Sequence, residues 1–316
     1  MSVTALAERV RQGDIGSIAR AISMVEAEGP QASALLAMLH PHAAGSTIVG
    51  LTGPPGAGKS TLVDSMTSAW RALGHRVGVI AVDPTSPFTG GALLGDRVRM
   101  QQHAEDEGVF IRSMATRGHL GGLARATADV AVVLGAARYD VVVIETVGVG
   151  QDEIEVVRTA DISVVVAVPG AGDHVQALKA GIMEIADIYV VNKADRDGAE
   201  AAVAAIEGLL SLQPGAEGRW RPPIIRTEAL AGLGIQDLVD AIDRFLAGAS
   251  AQLDDRRRSR SAARIRDLVT RRLLAHVERE VLAAGEFEVM LDRVERHEID
   301  PHAVAAAIVA RVLRRR

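Results

Sequence analysis

The sequence predicts an α/β protein: a mostly parallel sheet flanked by helices, with helical extensions at both ends. Three observations lead there. Short, β-branched apolar runs recur at residues 47–52, 77–82, 141–144, 164–168, 188–191 and 224–225. They are continuous rather than alternating, which suits strands covered on both faces. The stretches between them are mostly long enough for crossover helices, the connection that neighbouring parallel strands require.

The chain divides by pattern into residues 1–44, 45–247 and 248–316. The first part reads as helical. Ile15, Ile18, Ile22 and Val25 step by three and four along one helical face, Asp14 is placed to cap that helix, and Gly29 with Pro30 breaks it. The middle part holds the predicted sheet. The last part opens with "DDRRRSRSAARIRD" and runs into a helix with Ile265, Leu268, Val269, Leu273, Val277 and Val281 on one side. The arginine run reads as a solvated helix face or linker. Asp300 and Pro301 then form an N-cap and first-turn proline, opening a final helix through Val312. An apolar stripe on a helical arm needs cover, and a second copy of the chain in a homodimer supplies it.

Composition narrows the function. Hydrophobic residues make up 48% of the 316, enough for a large core. Aromatics at 3% argue against base-stacking platforms, and a net charge of −5 gives no general basic field, so no nucleic-acid partner is expected. With no cysteine, disulfides, thiolate metal sites and cysteine nucleophiles are excluded. No stretch approaches the roughly 20 apolar residues that span a bilayer, so no membrane role is expected. The start carries charge early and lacks the apolar centre of a signal peptide, which fits a cytoplasmic protein.

The strongest local signal is Gly53-Pro54-Pro55-Gly56-Ala57-Gly58-Lys59-Ser60-Thr61, set between a predicted strand and a predicted helix. In that context G-x-x-x-x-G-K-[ST] is a phosphate-binding loop. Its glycines let backbone N–H groups turn in toward phosphate oxygens, and the following helix offers its positive end. Lys59 is placed to reach the β- and γ-phosphates and Ser60 to ligate Mg²⁺.

Asn192-Lys193-Ala194-Asp195 follows another strand. A carboxylate at Asp195 accepts two hydrogen bonds from guanine, whereas adenine offers a lone pair there; Asp195 as a cap for the helix beginning near Gly198 is the plainer alternative. Asn192 would tie the base pocket to the phosphate loop, with the Lys193 stem over the ring. Backbone of Thr227, Glu228 and Ala229 completes the expected pocket, and the ligand expected is GTP or GDP rather than an adenine nucleotide.

Three acids fall where the γ-phosphate and metal belong: Asp83, Asp96 and Glu145. Together with Lys59 they form the expected catalytic set, and with Ser60 the expected metal set. Mg²⁺ keeps several waters, so some of these acids act through water. Asp96 is equally readable as an ion-pair partner of Arg97 or Arg99. Glu145, at the end of an apolar run, is expected to face the metal's water shell, and Gly148 to bring its N–H to the γ-phosphate. "RSMATRGHLGGLA", with Arg112, Arg117 and His119, reads as a glycine-rich loop, and the segment around His174 and Lys179 as a further moving part. No side chain stands out as a general base, so a partner is expected to complete the site.

"GPPGAGKST", "VDPTSPFTGGALLGDRVRM", "IRSMATRGHLGGLA", "ETVGVGQ" and "NKAD" together resemble the metallochaperone GTPases that escort adenosylcobalamin-dependent methylmalonyl-CoA mutase, called MeaB in bacteria and MMAA in humans and once labelled ArgK. The resemblance implies a P-loop NTPase fold of the SIMIBI type and a homodimer held by C-terminal helical arms. It also implies weak intrinsic GTP hydrolysis that gates cobalamin loading and protection of the mutase. It supports Lys59 and Ser60 at phosphate and metal, Asp83, Asp96 and Glu145 around Mg²⁺, and Asn192 to Asp195 at guanine. Asp152 departs from the small hydroxyl residue expected after Gln151. Two rival readings are a phosphotransferase linked to basic amino-acid transport and a nickel-insertion GTPase. The second has only scattered histidines to draw on, apart from His40 and His42.

Overall fold

A computed structural model of the chain describes residues 1–83, 101–103, 105–115, 122–146, 159–170, 186–212, 220–283 and 285–314. Two compact units result, Met1–Leu253 and Asp254–Arg316.

The first unit begins with α1 (Val3–Arg11), α2 (Ile15–Glu26) and α3 (Pro30–Leu39). Asp14 caps α2, accepting the Ser17 N–H at 2.8 Å, as its place before the apolar stripe implies. Strand β1 (Thr47–Thr52) leads to α4 (Lys59–Ala72) and β2 (Val77–Asp83), and β3 (Val109–Ala115) precedes α5 (Gly122–Ala136). Then come β4 (Val141–Thr146), β5 (Ile162–Ala167), β6 (Ile188–Asn192), α6 (Ala199–Leu212), β7 (Ile224–Thr227) and α7 (Ile235–Gly248).

The described strands form one seven-stranded sheet in the order β3-β2-β4-β1-β5-β6-β7, every pairing parallel. Every residue of β4 and β5 is buried, the continuous apolar signature of a sheet covered on both sides. Alternate residues feed separate cores. Val49, Leu51, Val79 and Val143 pack with Leu62, Met66 and Phe245 of α4 and α7. On the other face, Ile80, Val142 and Ile144 pack with Leu134 of α5 and with Leu6, Ile18, Ile22 and Leu35 of the N-terminal helices. Of the residues read as one stripe on α2, Ile18, Ile22 and Val25 are buried while Ile15, in the first turn, is exposed.

Strand β3 departs from the sequence reading, which treated the segment from Arg112 as loop. Arg112 and Ser113 interrupt its apolar run, yet Val77 to Asp83 pairs residue for residue with Val109 to Ala115. An edge strand tolerates polar residues because only one side must be laddered. The Arg112 guanidinium binds the Glu26 carboxylate at the end of α2, with Nε to Oε1 at 3.1 Å.

The second unit comprises the continuation of α8 (Ser250–His276), a π turn at Val277–Val281, α9 (Glu286–Glu295) and α10 (Pro301–Arg314). Asp300 Oδ1 accepts the N–H groups of His302 and Ala303 at 2.9 and 3.0 Å, the expected cap for α10. Arg311 ties α10 back to Glu286 and to the Val281 carbonyl. Ile265, Val269, Leu273, Phe287 and Val289 are exposed in the described chain. Among the described residues, no helix is long and apolar enough to cross a membrane.

Candidate functional site

Strand β1 lies between β4 and β5, while the next strand in sequence, β2, lies beyond β4. Such a reversal of strand order opens a crevice at the carboxyl edge, where open α/β sheets bind ligands. Residues 53–58 turn over this crevice. A Cβ on Gly53, whose φ is +149°, would stand 2.2 Å from the Val166 carbonyl oxygen of β5. Gly58 has φ +84° and abuts Asn192, where a Cβ would come within 2.5 Å of Nδ2. Side chains are sterically barred from both positions, so the loop can lie against the neighbouring strands only as glycine.

Helix α4 starts at Lys59 with Gly58 as N-cap and no side-chain capping bond, leaving its first N–H groups to the loop's interior. Lys59, 5% exposed, curls over the loop, its Nζ donating to the carbonyls of Gly53 at 2.8 Å and Pro54 at 3.0 Å. Ser60 Oγ donates to Glu145 Oε1 at 2.7 Å. Glu145 is 6% exposed and belongs to β4 proper, opposite Leu51 of β1 and Ala81 of β2. A direct hydroxyl partner thus helps offset the cost of its burial. One residue on, Thr146 Oγ1 bonds Thr52 Oγ1 at 3.1 Å, knitting β4 to β1 beneath the loop.

The Ser60–Glu145 pair suits a hard divalent cation. A serine hydroxyl that gives its proton to a carboxylate keeps its lone pairs for a metal, and both groups offer the oxygen ligands that Mg²⁺ takes. Asp83 ends β2 at the same sheet edge, one residue past the Val82–Thr146 pairing. Asp96, Gly148, Arg117, His119, His174 and Lys179 lie outside the described residues.

The second half of the site is the pair of loops after β6 and β7. Asn192, 2% exposed, donates from Nδ2 to the Ala57 carbonyl at 2.8 Å. Its Oδ1 accepts from Thr227 Oγ1 at 3.1 Å and from the Ala229 N–H at 3.2 Å. One side chain therefore joins the phosphate loop to both base-side loops. Lys193, at φ +59°, sends Nζ to the Gly56 carbonyl at 2.8 Å, so its stem runs from the base side toward the phosphate loop. The Ala194 N–H donates to Thr227 O at 3.1 Å, fixing Asp195 at the exposed rim. No bond from Asp195 to the first turn of α6 is present among the described residues. Glu228 contributes backbone, its N–H reaching Leu233 O at 3.0 Å.

Sequence reading missed a second attachment of α4. Asp64 Oδ1 lies 3.2 Å from His103 Nε2, and its other oxygen accepts from Gln102. The residues are almost 40 apart and share no motif, so only the fold reveals them.

The family model described as methylmalonyl Co-A mutase-associated GTPase MeaB matches residues 18–281. A Pyrococcus abyssi protein provisionally named a GTPase is 48% identical over 98% of this chain and 96% of its own. GTPase ArgK of Escherichia coli is 38% identical over 85% of this chain and 84% of its own. The mouse methylmalonic aciduria type A homolog, a mitochondrial protein, is 39% identical over 72% of this chain and 56% of its own length. Among solved structures, an LAO/AO transport system kinase superposes with a TM-score of 0.72 at 28% identity, covering 98% of this chain and 97% of its own. The fold is that of a P-loop NTPase. With a family match running from α2 to the π turn and relatives at these identities, the chain belongs to the MeaB family of methylmalonyl-CoA mutase-associated GTPases.

Proposed function

We propose that this protein binds and slowly hydrolyses GTP, and that the exchange between GTP and GDP gates cobalamin loading and protection of a methylmalonyl-CoA mutase. The observation that supports the reading is the Asn192 junction, whose hydrogen bonds tie Ala57 of the phosphate loop to Thr227 and Ala229, the span a guanine nucleotide would occupy. Family membership supports the hydrolytic activity and the mutase as client.

Each residue has a distinct task in this reading. The Lys59 ammonium, held over the loop by two carbonyls, exchanges them for β- and γ-phosphate oxygens. Asp195 reads the guanine edge while Asn192 fixes the distance from base to phosphates. Ser60 and Glu145 would hold Mg²⁺, with Asp83 and Asp96 as the further acids of the set, and Gly148 would serve the γ-phosphate. Bound there, Mg²⁺ would supply positive charge that offsets the charge developing on the phosphates. Positioning and electrostatics carry the intrinsic rate and the mutase complex raises it. Residues 248–316 act as the homodimer arm, their exposed apolar residues covered by a second copy, and the protein works in the cytoplasm.

Phosphate release from GTP, measured with and without purified mutase, tests this proposal. Stimulation by the mutase is expected. Stable transfer of label from GTP to a transport-binding protein, with no effect of the mutase, would favour a phosphotransferase instead.

A further inference from the structure

At the sheet edge opposite the phosphate loop, the turn between α1 and α2 meets the residues leading into β2 and β3 around a cavity of about 660 Å³. That size suits a small molecule. All of its lining residues belong to the first unit, and none has a task in the nucleotide site.

Two guanidiniums line the cavity, and they differ in one respect. Arg71, in the last turn of α4, gives Nε and Nη2 to the Asp106 carboxylate at 2.8 and 2.9 Å and Nη1 to the His75 carbonyl at 2.7 Å. It lies against Gly108, where a Cβ would stand 2.2 Å from Cζ. Its charge is met in place. Arg76 is half-buried, its Nη1 donating to the Ala137 carbonyl at 2.8 Å and its Cζ standing 4.4 Å from the centre of the Tyr139 ring. A carbonyl and a ring face hold this guanidinium without neutralising it, and among the described residues no carboxylate pairs with it. Of its five N–H donors, Ala137 takes one. Gly13, also in the lining, faces it: a Cβ there would lie 3.5 Å from Nη1 and from Nη2. A fixed, half-buried cation with donors to spare and no counter-charge is a site for an anion.

The other lining residues restrict which anion. Asp14 is already engaged by the Ser17 N–H and by Arg9, and Glu107 is exposed with no ion pair among the described residues. Both carboxylates repel a ligand with several negative charges, whereas a single carboxylate matches the one uncompensated guanidinium. Ile15 supplies apolar cover. It is 47% exposed although Ile18, Ile22 and Val25 of the same stripe are buried, and it belongs to the cavity lining.

We propose that this cavity is a second ligand site, separate from the nucleotide crevice, for a small monocarboxylate that sets its carboxylate on Arg76 and its alkyl chain against Ile15. The proposal stands independently of the guanine-nucleotide reading.

The test is titration of the full chain with butyrate, hexanoate, hexanol and pyrophosphate at constant ionic strength, followed by the amide magnetic resonance signals of Gly13, Gly16 and Gly108. Saturable shifts are expected with hexanoate, roughly tenfold tighter than with butyrate because of two further methylenes. Arg76→Gln should weaken hexanoate at least tenfold, and Ile15→Ser should erase most of the preference for the longer chain. Glu107→Gln, at an exposed position, should tighten hexanoate about twofold. No saturable shift in the wild type, or hexanoate affinity unchanged in both Arg76→Gln and Ile15→Ser, would overturn the site. Hexanol bound as tightly as hexanoate, or pyrophosphate bound more tightly, would overturn the monocarboxylate class. Should Arg76→Gln fail to fold, a loss in Ile15→Ser with a gain in Glu107→Gln supports the proposal, and no change in either overturns it.

Discussion

Asn192→Ala removes three hydrogen bonds at a site 2% exposed to solvent. The bonds join Ala57 of the phosphate loop to Thr227 and Ala229 of the base-side loops. At about 1 kcal/mol for each lost bond the loss is near 3 kcal/mol, and leaving the buried Ala229 N–H and Ala57 carbonyl without partners adds to it. For a unit of this size about 1 kcal/mol corresponds to roughly 2–4 °C in Tm, so the nucleotide-free protein should melt on the order of 10 °C lower. Differential scanning calorimetry measures this, and a GDP titration on the folded variant measures the severed coupling. Asn192→Asp keeps both acceptor bonds but places a carboxylate oxygen against the Ala57 carbonyl at a buried site, so that variant should lose stability as well as nucleotide affinity. A melting temperature within about 2 °C of wild type together with unchanged GDP affinity would refute the claim that Asn192 joins the two halves of the site.

Four further outcomes follow from the same geometry. Lys59→Ala should abolish tight GTP and GDP binding in equilibrium titrations, since its buried ammonium sits on the Gly53 and Pro54 carbonyls where the phosphates would lie. Asp195→Asn, at an exposed position, should narrow the preference for GDP over ADP and leave the stability of the fold within about 0.5 kcal/mol of wild type. Gly53→Ala should yield protein that does not bind nucleotide and melts early, because its Cβ would lie 2.2 Å from the backbone oxygen of Val166. The fourth concerns Asp106, whose carboxyl is held below its usual pKa first by its hydrogen bond to Arg71 and also by the Gly108 N–H. A depressed carboxylate stabilises the fold above its unfolded value of about 3.9 and loses that contribution as pH falls through the folded value. Melting curves of Asp106→Asn and wild type should therefore differ at neutral pH and converge in strongly acidic buffer.

Much of the site was legible because its chemistry is local. Gly53 to Thr61 is a contiguous loop whose geometry follows from its own glycines and the helix after it. Asn192 to Asp195 likewise sits at a strand end that the apolar run 188–191 announces. The role of Glu145 was half legible: its place at the end of a buried run implied a partner, whereas its hydrogen bond from Ser60, brought near by the β1–β4 pairing, lies outside any local pattern. What sequence concealed depends on contacts between distant segments. Strand β3 carries Arg112 inside its apolar run, and only the ladder to β2 and the ion pair to Glu26 make that residue at home in a strand. The spacing of Ile18 and Ile22 identified a helical face but not that this face covers Val142 and Ile144 of the sheet. Ser65 carried no motif at all, since its partner Ala229 lies 164 residues away.

The most direct test of the central claim is isothermal titration of the full-length chain with GDP and with ADP in Mg²⁺ buffer. Saturable uptake of GDP, with ADP bound far more weakly, is the predicted result. Well-folded protein that takes up neither nucleotide, or takes up ADP as readily as GDP, would contradict a guanine nucleotide at the carboxyl edge of this sheet.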